Sequence, residues 1–166
     1  MLMAEQRAAP APEGITITRM SEHDLLEVVE IEEGSGLSRW GWAAYYAELQ
    51  GANRDLMLVA RPAEMIIDAA PIVGYIVARE TAGELHINNF AVRSGFRRRG
   101  IGATLLNRVL EEARNRKANA AFLEVRSANQ AAQALYEKCG FTAIARRPNY
   151  YSDPREDAVV MSLVLR

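Results

Sequence analysis

The sequence predicts one mixed α/β domain, a single sheet carrying helices on its faces. Three observations predict it. Seven strand-length stretches of alternating or continuous apolar residues recur along the chain. Between them lie segments whose apolar residues fall at three- and four-residue spacing. The 166 residues contain no internal repeat and no linker that would mark a second domain.

The elements follow in order. Residues 1–13, rich in Ala and Pro and without an apolar h-region, read as a disordered tail ahead of a domain spanning 14–166 and not as a signal peptide. Alternation over 14–20 predicts a strand. Ser21 is a good N-cap, Asp24 stands at the third helical position, and Leu25, Val28, Val29 and Ile31 supply an apolar face until Gly34-Ser35-Gly36 ends the helix. A second helix over 39–50 carries Trp40, Trp42, Tyr45, Tyr46 and Leu49. Residues 55–61 read as a strand and 62–69 as a turn or short insertion. Strands over 71–79 and 84–92 form a hairpin around Thr81-Ala82-Gly83.

After a basic loop, Gly100 opens a helix with Ile101, Leu105, Leu106, Val109, Leu110 and Ala113 on one face. A strand over 120–126 and a helix over 129–139 follow, the helix stopped by Gly140, where a left-handed residue is wanted. Two strands, 141–146 and 158–165, are joined by a polar loop containing Pro148 and Pro154.

Composition narrows the function. Hydrophobic residues make up 49% and charged residues 25%, which excludes disorder as the main state. No apolar run reaches the ~18 residues of a membrane span. The formal net charge of −1 disfavours general nucleic-acid binding. With the single Cys139 and two distant histidines, His23 and His86, neither an intramolecular disulfide nor a zinc site of usual spacing can be written.

The most informative stretch runs from Asn88-Asn89-Phe90-Ala91-Val92 through Arg93-Ser94-Gly95-Phe96 to Arg97-Arg98-Arg99-Gly100-Ile101-Gly102-Ala103. A strand ends, a basic glycine-containing turn follows, and a long helix begins. Unpaired N–H groups and the helix dipole favour an anion at such a point. Gly100 and Gly102 permit close approach, and the arginines add charge, so the ingredients are those of a phosphate or pyrophosphate cradle. The nucleotide P-loop is missing its Lys-Ser/Thr, and Leu105 stands where the dinucleotide fingerprint needs its last glycine. A turn whose glycines serve chain reversal alone is the plainer alternative.

Glu124 lies inside an apolar strand, where a carboxylate is costly unless paired or used. Alternation puts it on one face with Phe122 and Arg126, so a salt bridge to Arg126 and a catalytic carboxylate both fit. Tyr136 reads equally as a core tyrosine with its hydroxyl at the rim, and Asn129 as a helix N-cap. The acidic run Glu30, Glu32, Glu33 either attracts a positively charged peptide terminus or is a solvated helix end.

Arg97-x-x-Gly100-x-Gly102 resembles the Q/R-x-x-G-x-G/A signature of the GCN5-related N-acetyltransferases, and the order of elements from 14 to 165 is similar as well. The run Leu123-Glu124-Val125-Arg126-x-x-Asn129-x-x-Ala132-x-x-Leu135-Tyr136-x-x-x-Gly140-Phe141 resembles the RimI-type branch, which modifies the N-terminal alanine of small-subunit ribosomal protein eighteen. Arg147-Pro-Asn149-Tyr150-Tyr151 with Glu156-Asp157-Ala158 and Met161 is similar to that branch too. The resemblance implies a mixed, mostly antiparallel sheet of about seven strands and acetyl-CoA as co-substrate, with no metal. It implies that Phe90, Ala91 and Val92 pair with the pantetheine arm, that Arg97 to Ala103 hold the pyrophosphate, and that Asn129 binds the coenzyme.

By the same resemblance Glu124 is the general base, through water, and Tyr136 the general acid towards sulfur. Trp40, Tyr150 and Tyr151 would line the acceptor side, although Arg39-Trp40-Gly41 replaces the usual Pro-Trp-Ser/Thr and Trp42 is added. The expected acceptor is a protein N-terminus, that of a ribosomal protein, met in the cytoplasm by a monomer or weak dimer that binds neither nucleic acid nor membrane. A lysine side chain or a small amine is the alternative acceptor, and an acyl-CoA sensor the alternative class. Cys139, at a helix end with no histidine near in sequence, reads as packing and not as a nucleophile.

Overall fold

A computed structural model describes residues 11–36, 39–63 and 71–165. Seven strands form one sheet in the order β1-β2-β3-β4-β5-β7-β6. They are β1 (Ile15–Arg19), β2 (Met57–Pro62), β3 (Gly74–Thr81), β4 (Glu84–Val92), β5 (Ala120–Arg126), β6 (Thr142–Ser152) and β7 (Arg155–Val164). β4 and β5 run parallel and every other neighbouring pair is antiparallel. The helices are α1 (Leu25–Glu33), α2 (Gly41–Leu49), α3 (Ile101–Asn115) and α4 (Gln130–Lys138). The expected element order and mixed sheet are both present.

The two faces carry separate cores. On one, α3 and α4 pack through Leu105, Leu106, Val109, Leu110 and Tyr136 onto Ile76, Leu85, Ile87, Leu123 and Val125. On the other, α1 and α2 pack through Leu25, Val28, Ile31 and Tyr45 onto Met57, Val59, Tyr75 and Val77. The helix starts obey their signals. Ser21 and Asp24 form a capping box, and a single 3-10 turn precedes α1. α2 keeps only Tyr45 buried, while Trp42 and Tyr46 stack on each other at its exposed face, 4.9 Å between ring centroids.

Three expectations need correction or placement. The polar loop expected between the last two strands is itself strand: β6 runs on to Ser152 and turns at Asp153-Pro154 into β7. β6 is an edge strand with two register breaks, and all but Tyr151 of its residues are exposed. It therefore lacks the apolar alternation that marks a half-buried strand. The turn expected over 62–69 lies outside the described residues from 64 on, and the expected tail lies outside them from 1 to 10.

Two irregularities open the sheet at its centre. β4 and β5 pair only from Glu84↔Ala120 to Ile87↔Leu123, yet β4 continues to Val92 and β5 to Arg126. β5 stays paired along its whole length with β7, so it leaves β4 in company with the β6–β7 hairpin. The β3–β4 register also slips, from Val77↔Asn89 to Ala78↔Ile87, which leaves Asn88 as a bulge. Leu85, Ile87, Phe90 and Val92 consequently all pack on the α3 side, while Asn89 and Ala91 turn to the α1–α2 side.

Candidate active site

The wedge between β4 and β5 has α3 at its mouth. Gly100 sits at φ +80°, in the left-handed region that suits glycine, and no side chain caps the helix after it. The first N–H groups of α3, at Ile101, Gly102 and Ala103, therefore point out of the helix end. Arg97, Arg98 and Arg99 are exposed around it. The Arg97 Nε donates to the Val92 carbonyl at 3.0 Å, and Arg99 lies over the Phe96 ring. Pro12, ahead of β1, borders the turn, 3.5 Å from where a Cβ on Gly100 would stand.

Gly102 has a different reason to be glycine. A Cβ there would come 3.2 Å from Phe90 Cζ and 3.3 Å from Leu135 Cδ2, so α3, β4 and α4 meet at this residue. The loop residues named from the sequence, together with the β4 segment Phe90, Ala91, Val92, which β5 no longer pairs, are thus gathered at one end of the wedge. An uncapped helix start, a left-handed glycine and exposed cationic side chains fit a pyrophosphate. A strand edge that β5 has left fits an extended amide-bearing arm.

Tyr136 stands on the same face. It is buried, its ring centroid 6.1 Å from Phe90 and 6.0 Å from Phe141. Burial, reinforced by Tyr151 and Cys139, holds its hydroxyl proton well above the usual tyrosine range. Asn129 caps α4, its Oδ1 accepting from the Ala132 N–H at 3.1 Å, so the N-cap reading is correct and its amide N–H groups remain for another acceptor. Cys139 is half-buried, and burial raises its thiol, which opposes thiolate formation.

Glu124 projects from the opposite face of β5, since Leu123 and Val125 on either side of it lie in the α3–α4 core. Its side chain is 27% exposed and its Oε1 is 3.7 Å from an Arg147 terminal nitrogen. The pairing with Arg126 does not form. Arg126 is engaged instead with Glu156, with the Gly36, Asp153 and Pro154 carbonyls, and with the Tyr151 ring, 4.2 Å below its guanidinium. Tyr150 and Tyr151 meet edge to face at 5.1 Å, with Arg147 over Tyr150. Burial, reinforced by Tyr150, pushes Tyr151 up to about 12. The Ala128 N–H, with Arg126 and Ser127 beside it, holds the Glu156 carboxyl below the usual range.

Trp40 is not joined to this tyrosine pair. It heads α2, packing at 5.4 Å on Tyr45 and beneath the Arg79 guanidinium at 5.0 Å. The acidic run also divides. Glu32 is neither solvated nor free for a peptide: it is buried, and its carboxylate accepts the Trp40 and Gly41 N–H groups at the start of α2. Glu30 pairs with Arg93 at 3.0 Å, and Glu33 is exposed. Beside Glu32, Asn89 donates to the Tyr45 hydroxyl at 2.7 Å, and Tyr45 meets Tyr75 at 2.9 Å. The sequence reading gave Arg126 and Glu32 other partners, gave Arg147 no role of its own and did not single out Asn89. The adjacent amides Asn88 and Asn89, breaking an apolar strand, are the signal that marks the bulge.

The chain is similar to known proteins in sequence and in fold. The pattern of the Acetyltransferase (GNAT) family matches residues 25–141. A [ribosomal protein bS18]-alanine N-acetyltransferase of Escherichia coli is 31% identical over 150 residues, covering 89% of this chain and 96% of the relative. The crystal structure of the Escherichia coli ribosomal-protein-S18-alanine N-acetyltransferase superposes with a TM-score of 0.77 at 30% identity, covering 91% of this chain and 94% of that one. Ard1 from Thermoplasma volcanium superposes with a TM-score of 0.80 at 30% identity, over 91% of this chain and 97% of that one. With the family pattern matched over 25–141 and these relatives covering about nine-tenths of its length, the chain belongs to the Acetyltransferase (GNAT) family.

Proposed function

We propose that this enzyme transfers an acetyl group from acetyl-CoA to the N-terminal α-amine of a protein, and that the acceptor is an N-terminal alanine such as that of ribosomal protein bS18. The relatives named for that activity extend over most of the chain, which supports the acceptor. The observation that carries the chemistry is the open wedge, with Glu124 on one face of the sheet and Tyr136 on the other. A thioester threaded through the gap meets an amine arriving from the Glu124 side.

The roles follow from this placement. Glu124, through a water, takes the proton that the ammonium must lose before attack. Arg147, near its Oε1, restrains the carboxylate's orientation. Tyr136 keeps its proton because it is buried, and it delivers that proton to the departing sulfur. The attacking nitrogen loses two protons, one before attack and one as the amide forms; one is released to water and the other replaces the proton that Tyr136 gives to sulfur, so no acyl-enzyme and no Cys139 thiolate is required. Phe90, Ala91 and Val92 would hold the pantetheine arm, Arg97 to Ala103 the pyrophosphate, and Asn129 the coenzyme through its remaining N–H groups. Tyr150 and Tyr151 line the acceptor entrance, and Trp40 acts from α2. An acceptor on a ribosomal protein supports a cytoplasmic location for the enzyme.

Thiol release from acetyl-CoA tests the reading with two peptides of matched sequence, one with a free N-terminal Ala and one blocked with an internal Lys. Turnover on the free terminus alone is expected. Turnover on the blocked peptide alone rejects the acceptor, and coenzyme binding without turnover on either rejects the peptide acceptor altogether.

A further inference from the structure

Arg126 gathers more contacts than any surface ion pair requires. Its side chain is only 18% exposed. Nε donates to the Gly36 carbonyl at 3.4 Å, in the turn that follows α1. One terminal nitrogen donates to the Pro154 carbonyl at 3.0 Å and to Glu156 at 3.4 Å, and the other to the Asp153 carbonyl at 3.1 Å. The face of the guanidinium lies on Tyr151. Glu156 does not depend on Arg126 alone, because it also accepts the Ala128 N–H at 2.7 Å and faces the Ser127 hydroxyl. The distinctive contacts are three main-chain carbonyls drawn from two segments 117 or more residues apart in sequence.

Resting on the acceptor reading above, we propose that Arg126 is a positioning residue for the acceptor: it ties the turn after α1 to the tip of the β6–β7 hairpin and so sets the spacing of the two walls of the entrance. Three features carry this. β6 is an exposed edge strand held by β7 on one side only, so the hairpin tip needs an anchor. The anchor shares a strand face with Glu124, two residues away, which fixes the entrance relative to the base. The guanidinium's planar fork reaches several carbonyls in fixed directions while its face supports an aromatic ring, which a lysine ammonium does not reproduce. Arg126 touches neither reacting atoms nor the coenzyme loop, so its effect falls on acceptor capture and not on the chemical step.

The test compares wild type, Arg126→Lys, Arg126→Met and Glu156→Gln in full-length protein. Acceptor-peptide KM, acetyl-CoA KM, kcat and thermal midpoint are measured, together with hydrogen exchange over 34–36 and 152–155. In Arg126→Lys the acceptor KM rises about tenfold, as expected for a misplaced binding wall, while kcat and acetyl-CoA KM stay near wild type. Exchange quickens in both segments together. Glu156→Gln, which keeps the carbonyl contacts, leaves acceptor KM near wild type. A folded Arg126→Lys protein with unchanged acceptor KM overturns the proposal, as does a parallel rise in both KM values. If wild type acetylates no peptide, the acceptor reading fails by itself. The tie between the walls is then judged by exchange, where joint loosening in Arg126→Lys upholds it and loosening of one segment alone, or of neither, refutes it. If Arg126→Met does not fold, Arg126→Lys carries the comparison.

Discussion

Glu124 and Tyr136 lie on opposite faces of the same sheet: the neighbours of Glu124 on β5 belong to the core that contains Tyr136, and Glu124 itself points away from it. In a continuous sheet they would be walled off from each other. The proposed shared reaction requires β4 and β5 to separate, as they do beyond Ile87 and Leu123.

Replacing Glu124 by Gln removes the proposed proton acceptor while keeping size and fold. We expect kcat to fall about a hundredfold or more, within the usual range for a general base. Acetyl-CoA affinity, measured by calorimetry, stays near wild type because the loop proposed to hold the coenzyme is on the other side of the sheet.

Tyr136→Phe should lower kcat by about ten- to a hundredfold with little change in fold. The pH behaviour carries a sign. Burial raises Tyr136, and also Tyr45 and Tyr75, above the ordinary tyrosine value. Their folded pKa values exceed their unfolded ones, so the stability linked to them is whole below about pH 10 and is lost as pH rises beyond it. The kcat profile of wild type should show no tyrosine ionisation below about pH 10. Thermal melts should decline above that pH, less steeply in Tyr75→Phe.

Gly102→Ala tests the junction of α3, β4 and α4. Alanine gains helix propensity of about 1 kcal/mol over glycine. Its Cβ, though, presses on Phe90 and Leu135 at 3.2 and 3.3 Å, and Phe90 belongs to the strand expected to carry the pantetheine arm. Stability should change little, whereas acetyl-CoA binding by calorimetry should weaken about tenfold, one such factor being about 1.4 kcal/mol.

Much of this site was legible in the sequence, because glycines and periodicity are local signals. The strand–turn–helix at Val92 to Gly102 and the placement of Glu124 on a strand and Tyr136 on a helix came from spacing alone. The partners did not. Arg126 and Glu124 share a face and have opposite charges, so pairing was the natural reading, yet the β6–β7 hairpin offers Arg126 carbonyls, an aromatic face and Glu156 instead. Arg147 reaches Glu124 only because an exposed edge strand with hidden periodicity continues past it. Such contacts depend on tertiary register, which a single sequence does not state.

Glu32 makes the same point from the acidic run. Buried and bonded to the N–H groups that open α2, it acts as a remote cap. Glu32→Ala should destabilise the protein by about 2 kcal/mol, as for the loss of a strong helix cap. Denaturant unfolding measures this, and Glu33→Ala at an exposed position should be close to neutral by comparison.

The central claim is that an N-terminal amine attacks through the wedge under the control of Glu124. The most direct measurement offers one peptide both a free N-terminal Ala and an internal Lys, with acetyl-CoA, and locates the acetyl group by tandem mass spectrometry. The account predicts label on the α-amine, with initial rate lost in Glu124→Gln and retained in Cys139→Ala. Label on the lysine, or an undiminished rate in Glu124→Gln, would contradict it.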